Sequence, residues 1–177
     1  AYTVTQSFDL NRKNYDKDTI KDFASKLNLH VGGDPIQLKD YQADAVKFAI
    51  NNKRALLLSP TSSGKSLIIY MLCRILAKKK ILLVVPSTNL VDQMTGDFAD
   101  YSSEEDGWIT PEQVHKIYAG QDHTTNKPIT VSTWQSIYKK QKKWFQQFDV
   151  IIGDEIHGAK ANSLKGIFEK AVDAEYK

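Results

Sequence analysis

Ala55-Leu56-Leu57-Leu58-Ser59-Pro60-Thr61-Ser62-Ser63-Gly64-Lys65-Ser66 is the stretch that decides the fold. Four apolar residues closed by Ser-Pro read as a short strand buried on both faces of a parallel sheet. A loop of small residues follows, and the apolar positions after Lys65 continue at helical spacing to about residue 77. Strand, small-residue loop and helix in that order make a phosphate-binding loop. Backbone N–H groups can close around phosphate oxygens, and the helix N-terminus adds favourable partial charge. On this reading Pro60, Thr61, Ser62, Ser63 and Gly64 line the phosphates. Lys65 reaches the β- and γ-phosphates, and the Ser66 hydroxyl ligates Mg²⁺, so ATP and Mg²⁺ are the expected cofactors. Ser59 stands where the strict pattern has its first glycine. The competing view is an incidental Gly-Lys-Ser at a helix start, which the strand before it and the helix after it disfavour.

Outward from this loop, short apolar runs alternate with helical patterns. Tyr41, Ala45, Phe48 and Ala49 make a helical face upstream. Downstream, strands are expected at 81–85, 114–118, 129–132 and 150–153, and helices at 88–101, 133–146 and 161–175. The fold class is therefore α/β, with a mostly parallel sheet flanked by helices. Ligands of such sheets sit beyond the carboxyl ends of the strands. The strand at 150–153 ends in Asp154-Glu155-Ile156-His157. Asp154 would hold Mg²⁺, directly or through water, and Glu155 would polarise the water that attacks the γ-phosphate. His157 either couples this site to a neighbouring domain or is an ordinary hydrogen-bonded histidine. Two acids after a strand are, in isolation, as readily a solvated helix start; their pairing with the loop favours the nucleotide reading.

The remaining composition sets bounds. A chain of 177 residues holds one well-packed domain with a small appendage, not two motor domains. Its 41% hydrophobic and 25% charged residues fit a globular protein. No apolar run nears the ~20 residues of a membrane span, so no membrane partner is expected. The lone Cys73 excludes an intrachain disulfide, suits a reducing cytoplasm and reads as a buried structural thiol. A net charge of +3 permits nucleic-acid binding without demanding it. Residues 1–34 are a polar lead-in with a helix at 16–27 and a Gly32-Gly33-Asp34-Pro35 turn; residues 35–177 form the main domain. Lys139, Lys140, Lys142 and Lys143, interleaved with Tyr138 and Trp144, read either as a basic nucleic-acid surface or as a solvated helix face. Trp134 reads as core. The start at Ala1 suggests a processed or excised chain.

In their order these segments resemble the motifs of superfamily 2 DExH helicases. Asp154-Glu155-Ile156-His157 looks like motif II and Ser59–Ser66 like motif I. Leu38-Lys39-Asp40-Tyr41-Gln42 resembles the Q-motif region, which implies that Gln42 reads the adenine edge. Residues 85–93, Val-Pro-Ser-Thr-Asn-Leu-Val-Asp-Gln, resemble motif Ia, and residues 129–136 resemble the threonine-containing segment before motif II. The resemblance implies nucleic-acid phosphate contacts at Ser87, Thr88, Thr133 and Gln135. It covers about 35–157 and implies a RecA-like P-loop NTPase domain, the first of a motor's two. The loop, Thr133-Trp134-Gln135 and Trp144-Phe145-Gln146-Gln147-Phe148 look most like the recombination and repair helicases of T4-like phages, whose class remodels branched DNA. Restriction-enzyme translocases and XPB-type repair helicases share much of the pattern.

By that resemblance the chain is C-terminally truncated: motif III and the second RecA-like domain, with its arginine fingers, are expected beyond Lys177. The partners implied are nucleic acid, DNA before RNA, and that second domain. Two other classes remain open. One is a P-loop ATPase or kinase of another type; the other is a non-catalytic module with a degenerate loop.

Overall fold

The computed structural model describes residues 7–57, 64–118, 123–155 and 161–177, with the Ala161 side chain left aside. In chain order the elements are α1 (Lys17–Lys26), β1 (His30–Val31), β2 (Asp34–Pro35), α2 (Asp40–Asn52) and α3 (Lys65–Ile75). Next come β3 (Ile81–Val85), α4 (Thr88–Tyr101), α5 (Thr110–Gln113), β4 (Val114–Ile117) and β5 (Ile129–Thr133). The last are α6 (Trp134–Ile137), α7 (Lys142–Phe145), β6 (Val150–Gly153) and α8 (Ala161–Lys170). The chain divides into two compact units, Ala1–Ala77 with Gly96–Thr110, and Lys78–Thr95 with Pro111–Lys177.

The first unit is helical. Asp16 caps α1 by accepting the Thr19 N–H at 2.7 Å, and Ile20, Phe23 and Ala24 bury the face its periodicity marks. The Gly-Gly turn joins β1 to β2 as a two-residue hairpin. Gly32 and Gly33 hold φ of +59° and +85°, which side-chain-bearing residues resist and which matches the twist of paired strands. Every residue of α3 from Leu67 to Ile75 is buried, as a helix apolar on all sides requires. Among them Arg74 is fully enclosed. Its guanidinium pairs with the Glu105 carboxylate, donates to the Tyr70 hydroxyl at 2.6 Å and stacks 4.0 Å from the Trp108 ring centroid. Burial pushes the Tyr70 phenol up to about 12. Burial likewise raises the Cys73 thiol, in keeping with a structural thiol.

One expectation fails here. Residues 55–57 form no strand, and Leu56 is 72% exposed. The run is only four residues long, and none of its described residues gains a ladder partner. Without one an apolar segment has no reason to extend into a sheet. Leu58 lies outside the described residues.

The second unit holds a four-stranded sheet in the order β4-β5-β3-β6, parallel throughout. All five residues of β3 and of β5 are buried, as central parallel strands should be; β3 is a continuous apolar run, whereas β5 buries Thr130, Ser132 and Thr133 along with Ile129 and Val131. Leu82, Val84, Ile117 and Ile151 share one core with Ile137, Phe145 and Phe148, and with Leu164, Ile167 and Ala171 of the C-terminal region. Trp134 packs against it, as its core reading expects.

Two helices depart from expectation. The helix at 133–146 is broken: Thr133 stays in β5, and α6 and α7 are single turns. The Lys170 ammonium donates to the carbonyls of Tyr138 and Lys140 at 2.7 and 2.9 Å, and Gln141 is extended, so the chain exits one turn and restarts. The helix at 161–175 stops at Lys170, because the residues beyond it turn onto β6. Glu175 N–H donates to Asp149 O, and Ile151 N–H to Tyr176 O. No helix among the described residues is long and apolar enough to cross a membrane.

Candidate nucleotide site and nucleic-acid track

In the first unit, Gly64 caps α3 with φ +70° and ψ 38°. That left-handed φ favours glycine, and a Cβ there would meet the Gln42 side-chain nitrogen at 2.5 Å and displace that amide. Gln42 is 4% exposed and its amide is engaged at both ends. Its Oε1 accepts the Lys39 N–H at 2.9 Å, and its Nε2 donates to Gly64 O at 3.4 Å. The residue expected at the adenine edge thus also braces the exit of the phosphate loop. Lys65 and Ser66 open α3, both half-buried. Ser66 Oγ shares a 2.7 Å hydrogen bond with the Tyr101 hydroxyl, and Asp97, one turn earlier on α4, also bonds Ser66. Burial raises the Asp97 carboxyl and the Tyr101 phenol. A hydroxyl at the head of a helix, with a carboxylate beside it, is a hard-oxygen setting that fits Mg²⁺. A metal ligated by Ser66 takes a lone pair of its oxygen, and a hydrogen bond donated by Tyr101 competes for the same oxygen. Pro60, Thr61, Ser62 and Ser63 lie outside the described residues.

In the second unit, the carboxyl ends of three adjacent strands carry the remaining candidates side by side. Val85 of β3 pairs with Thr133 of β5, and Val84 with Gly153 of β6. Beyond β3, Ser87 Oγ accepts the Leu90 N–H at 3.3 Å, and Thr88, exposed, begins α4. Beyond β5, Thr133 is buried with its hydroxyl on Ser136 at 2.8 Å. Gln135 Nε2 donates to Pro86 O at 3.0 Å and ties the two strand ends together. Beyond β6, Asp154 N–H donates to Val84 O at 2.9 Å, prolonging the ladder so that the carboxylate stands at the end of the sheet. Glu155 follows with φ +51°, a left-handed backbone that a non-glycine residue holds at a cost of about 1–3 kcal/mol. Strain of that kind recurs where a side chain must point one way. His157 lies outside the described residues.

Ser87, Thr88, Thr133, Gln135, Asp154 and Glu155 are thus gathered by one sheet, while Gln42, Gly64, Lys65 and Ser66 are gathered around the head of α3. Sequence reading missed Asp97 and Tyr101. They sit four apart on one helical face, 35 residues from Ser66 in the case of Tyr101, and no local pattern announces that contact.

Parallel strands with this set of residues at their carboxyl ends define the class. The chain belongs to the family described as "Type III restriction enzyme, res subunit", which it matches over residues 35–176. Within it, the chain is a first RecA-like domain of the superfamily 2 helicase type, as the motif order implied. It is 35% identical over 171 residues to the ATP-dependent DNA helicase uvsW of Enterobacteria phage T4, covering 93% of this chain and 32% of that protein. To the DNA 3'-5' translocase XPB2 of Sulfurisphaera tokodaii it is 32% identical over 124 residues, 70% of this chain and 26% of that one. The crystal structure of the bacteriophage T4 UvsW helicase superposes with a TM-score of 0.82 at 33% identity, covering 92% of this chain and 58% of that one. The chain spans about a quarter to a third of the length of the curated relatives it matches.

Proposed function

We propose that this chain is the nucleotide-binding motor domain of an ATP-driven helicase or translocase that acts on DNA, with branched recombination or repair intermediates as its substrate class. Residues 35–177 form the motor domain and 1–34 the lead-in. A second RecA-like domain on the same polypeptide closes over the nucleotide and supplies arginine fingers. Pro60–Ser63, Gly64 and Lys65 hold the phosphates, and Gln42 stands at the adenine. Ser66 and Asp154 hold Mg²⁺, which neutralises charge on the phosphates. Glu155 orients water toward the γ-phosphate, and His157 links this site to the rest of the motor. Ser87, Thr88, Thr133 and Gln135 contact nucleic-acid phosphates, which position a strand without reading its sequence. The observation that supports this most is the juxtaposition of Asp154 and Glu155, Ser87 and Thr88, and Thr133 and Gln135 on three neighbouring strand ends. In that arrangement a change at the acids is one strand away from the track.

The test is ATP hydrolysis by a polypeptide carrying this chain and its second RecA-like domain, with and without DNA. Hydrolysis stimulated by DNA, lost in Glu155→Gln, together with unwinding lost but DNA binding kept in Lys65→Ala, is the expected result. Phosphate transfer to a small molecule, indifferent to nucleic acid, would place the chain with the kinases instead. An arginine finger contributes roughly 10³–10⁵ in turnover, so the chain alone should bind ATP weakly and hardly hydrolyse it.

A further inference from the structure

We infer that the turn between α6 and α7 is a second phosphate-binding surface, which holds the nucleic-acid backbone beside Thr133 by charge alone. This rests on the nucleic-acid reading above.

Residues 139–143 read Lys-Lys-Gln-Lys-Lys. Lys139, Lys142 and Lys143 are exposed and Lys140 is half-buried. Some lysines elsewhere stand against carboxylates, such as Lys17 with Asp44, Lys26 with Asp22, Lys116 with Asp92 and Lys165 with Glu169; what sets the turn apart is four lysines within five residues. None of the four turn lysines has a carboxylate partner among the described residues. Four positive charges within five residues, with no carboxylate partner among the described residues, repel one another, a standing cost that a polyanion removes.

The turn is also built to hold its shape. Lys170 donates to the carbonyls of Tyr138 and Lys140, so a fifth lysine pins the backbone, while Lys139, Lys142 and Lys143 stay exposed and Lys140 half-buried. The aromatic neighbours do not serve as a stacking platform. Trp144 donates its indole N–H to His123 O and packs edge-on against Phe145 and Phe148, while Trp134 and Tyr138 lean on the core. The surface therefore offers charge without base stacking, which suits phosphates and tolerates any sequence. Its place matches too. One helical turn separates it from Thr133, roughly 5 Å or about one to two nucleotide steps along a strand.

The experiment measures binding of this chain to a labelled single-stranded oligonucleotide and to a duplex across a salt series, by fluorescence polarisation. Three proteins are compared. One is the unaltered chain, one carries Lys139→Gln, Lys140→Gln, Lys142→Gln and Lys143→Gln, and the control carries Lys17→Gln, Lys26→Gln, Lys116→Gln and Lys165→Gln. The two variants lose the same formal charge. Each phosphate contact contributes about 0.7 to the salt slope for single strands and about 0.9 for duplex. The turn variant should shallow the slope by about 3 and weaken binding at low salt by tenfold or more, with an unchanged melting profile. The control should keep the parental slope. Equal loss in both variants, or an unchanged slope in the turn variant, overturns the inference and leaves the motor reading standing. A parental chain that binds neither oligonucleotide but does bind anionic vesicles overturns both.

Discussion

Ser66 stands at a fork. Its hydroxyl bonds both Tyr101 and Asp97, and a bond donated by the phenol takes up an oxygen lone pair that a metal would otherwise use. Tyr101→Phe removes the competing hydroxyl and keeps the ring against Tyr70. That variant should bind Mg-ATP about threefold to tenfold more tightly, the worth of one ordinary hydrogen bond, and should bind ATP in EDTA no better than the parent. Titration calorimetry with and without Mg²⁺ separates these; weaker Mg-dependent binding in Tyr101→Phe would mean that the phenol supports the site. Cys73 is a second residue-scale case. Burial raises its thiol, so the reactive thiolate is suppressed. Ellman's reagent at pH 8 should label it only as fast as the chain unfolds, and immediate stoichiometric labelling of the native chain would contradict its placement. At this scale the sequence was most legible where chemistry and backbone agree: the left-handed φ at the head of α3 favours glycine, and Gly64 stands there. It was least legible for Tyr101 and Arg74, whose partners lie about thirty residues away and leave no periodic trace.

Among the elements, the strands were read more closely than the helices. β3 runs as expected, five apolar residues buried on both faces, and β6 pairs beside it with Val150 and Ile151 buried and Ile152 and Gly153 half-buried. The helix expected at 133–146 was misread because its apolar spacing is real, yet Lys170, from a distant part of the chain, captures two of its carbonyls. The apolar run at 55–57 was misread in the opposite sense, since an apolar run specifies burial only where a neighbour exists to pair with it. α3 offers the sharpest energetic test. Arg74 is fully enclosed and the Glu105 side chain is 5% exposed. Glu105→Ala leaves a buried guanidinium without its counter-charge and should cost about 3–5 kcal/mol in urea unfolding. Arg74→Met with Glu105→Leu, which removes both charges, should cost distinctly less. Equal losses in the two would mean that packing, not charge, governs the pair.

For the whole molecule, the motif order in the sequence carried the class, and the match over residues 35–176 bears it out. The division into two contact units was not legible, because it cuts through α4, an unbroken helical pattern. The central claim is that Lys65, at the head of α3, and Asp154, at the end of β6, serve one magnesium-nucleotide. A double-mutant cycle tests it most directly, with Mg-bound fluorescent nucleotide titrated into the parent, Lys65→Ala, Asp154→Asn and the double variant. If both residues serve one ligand, each single substitution weakens binding about tenfold or more, and the double falls well short of the product of the two. Full additivity, or an Asp154→Asn protein that binds Mg-nucleotide like the parent, would contradict it.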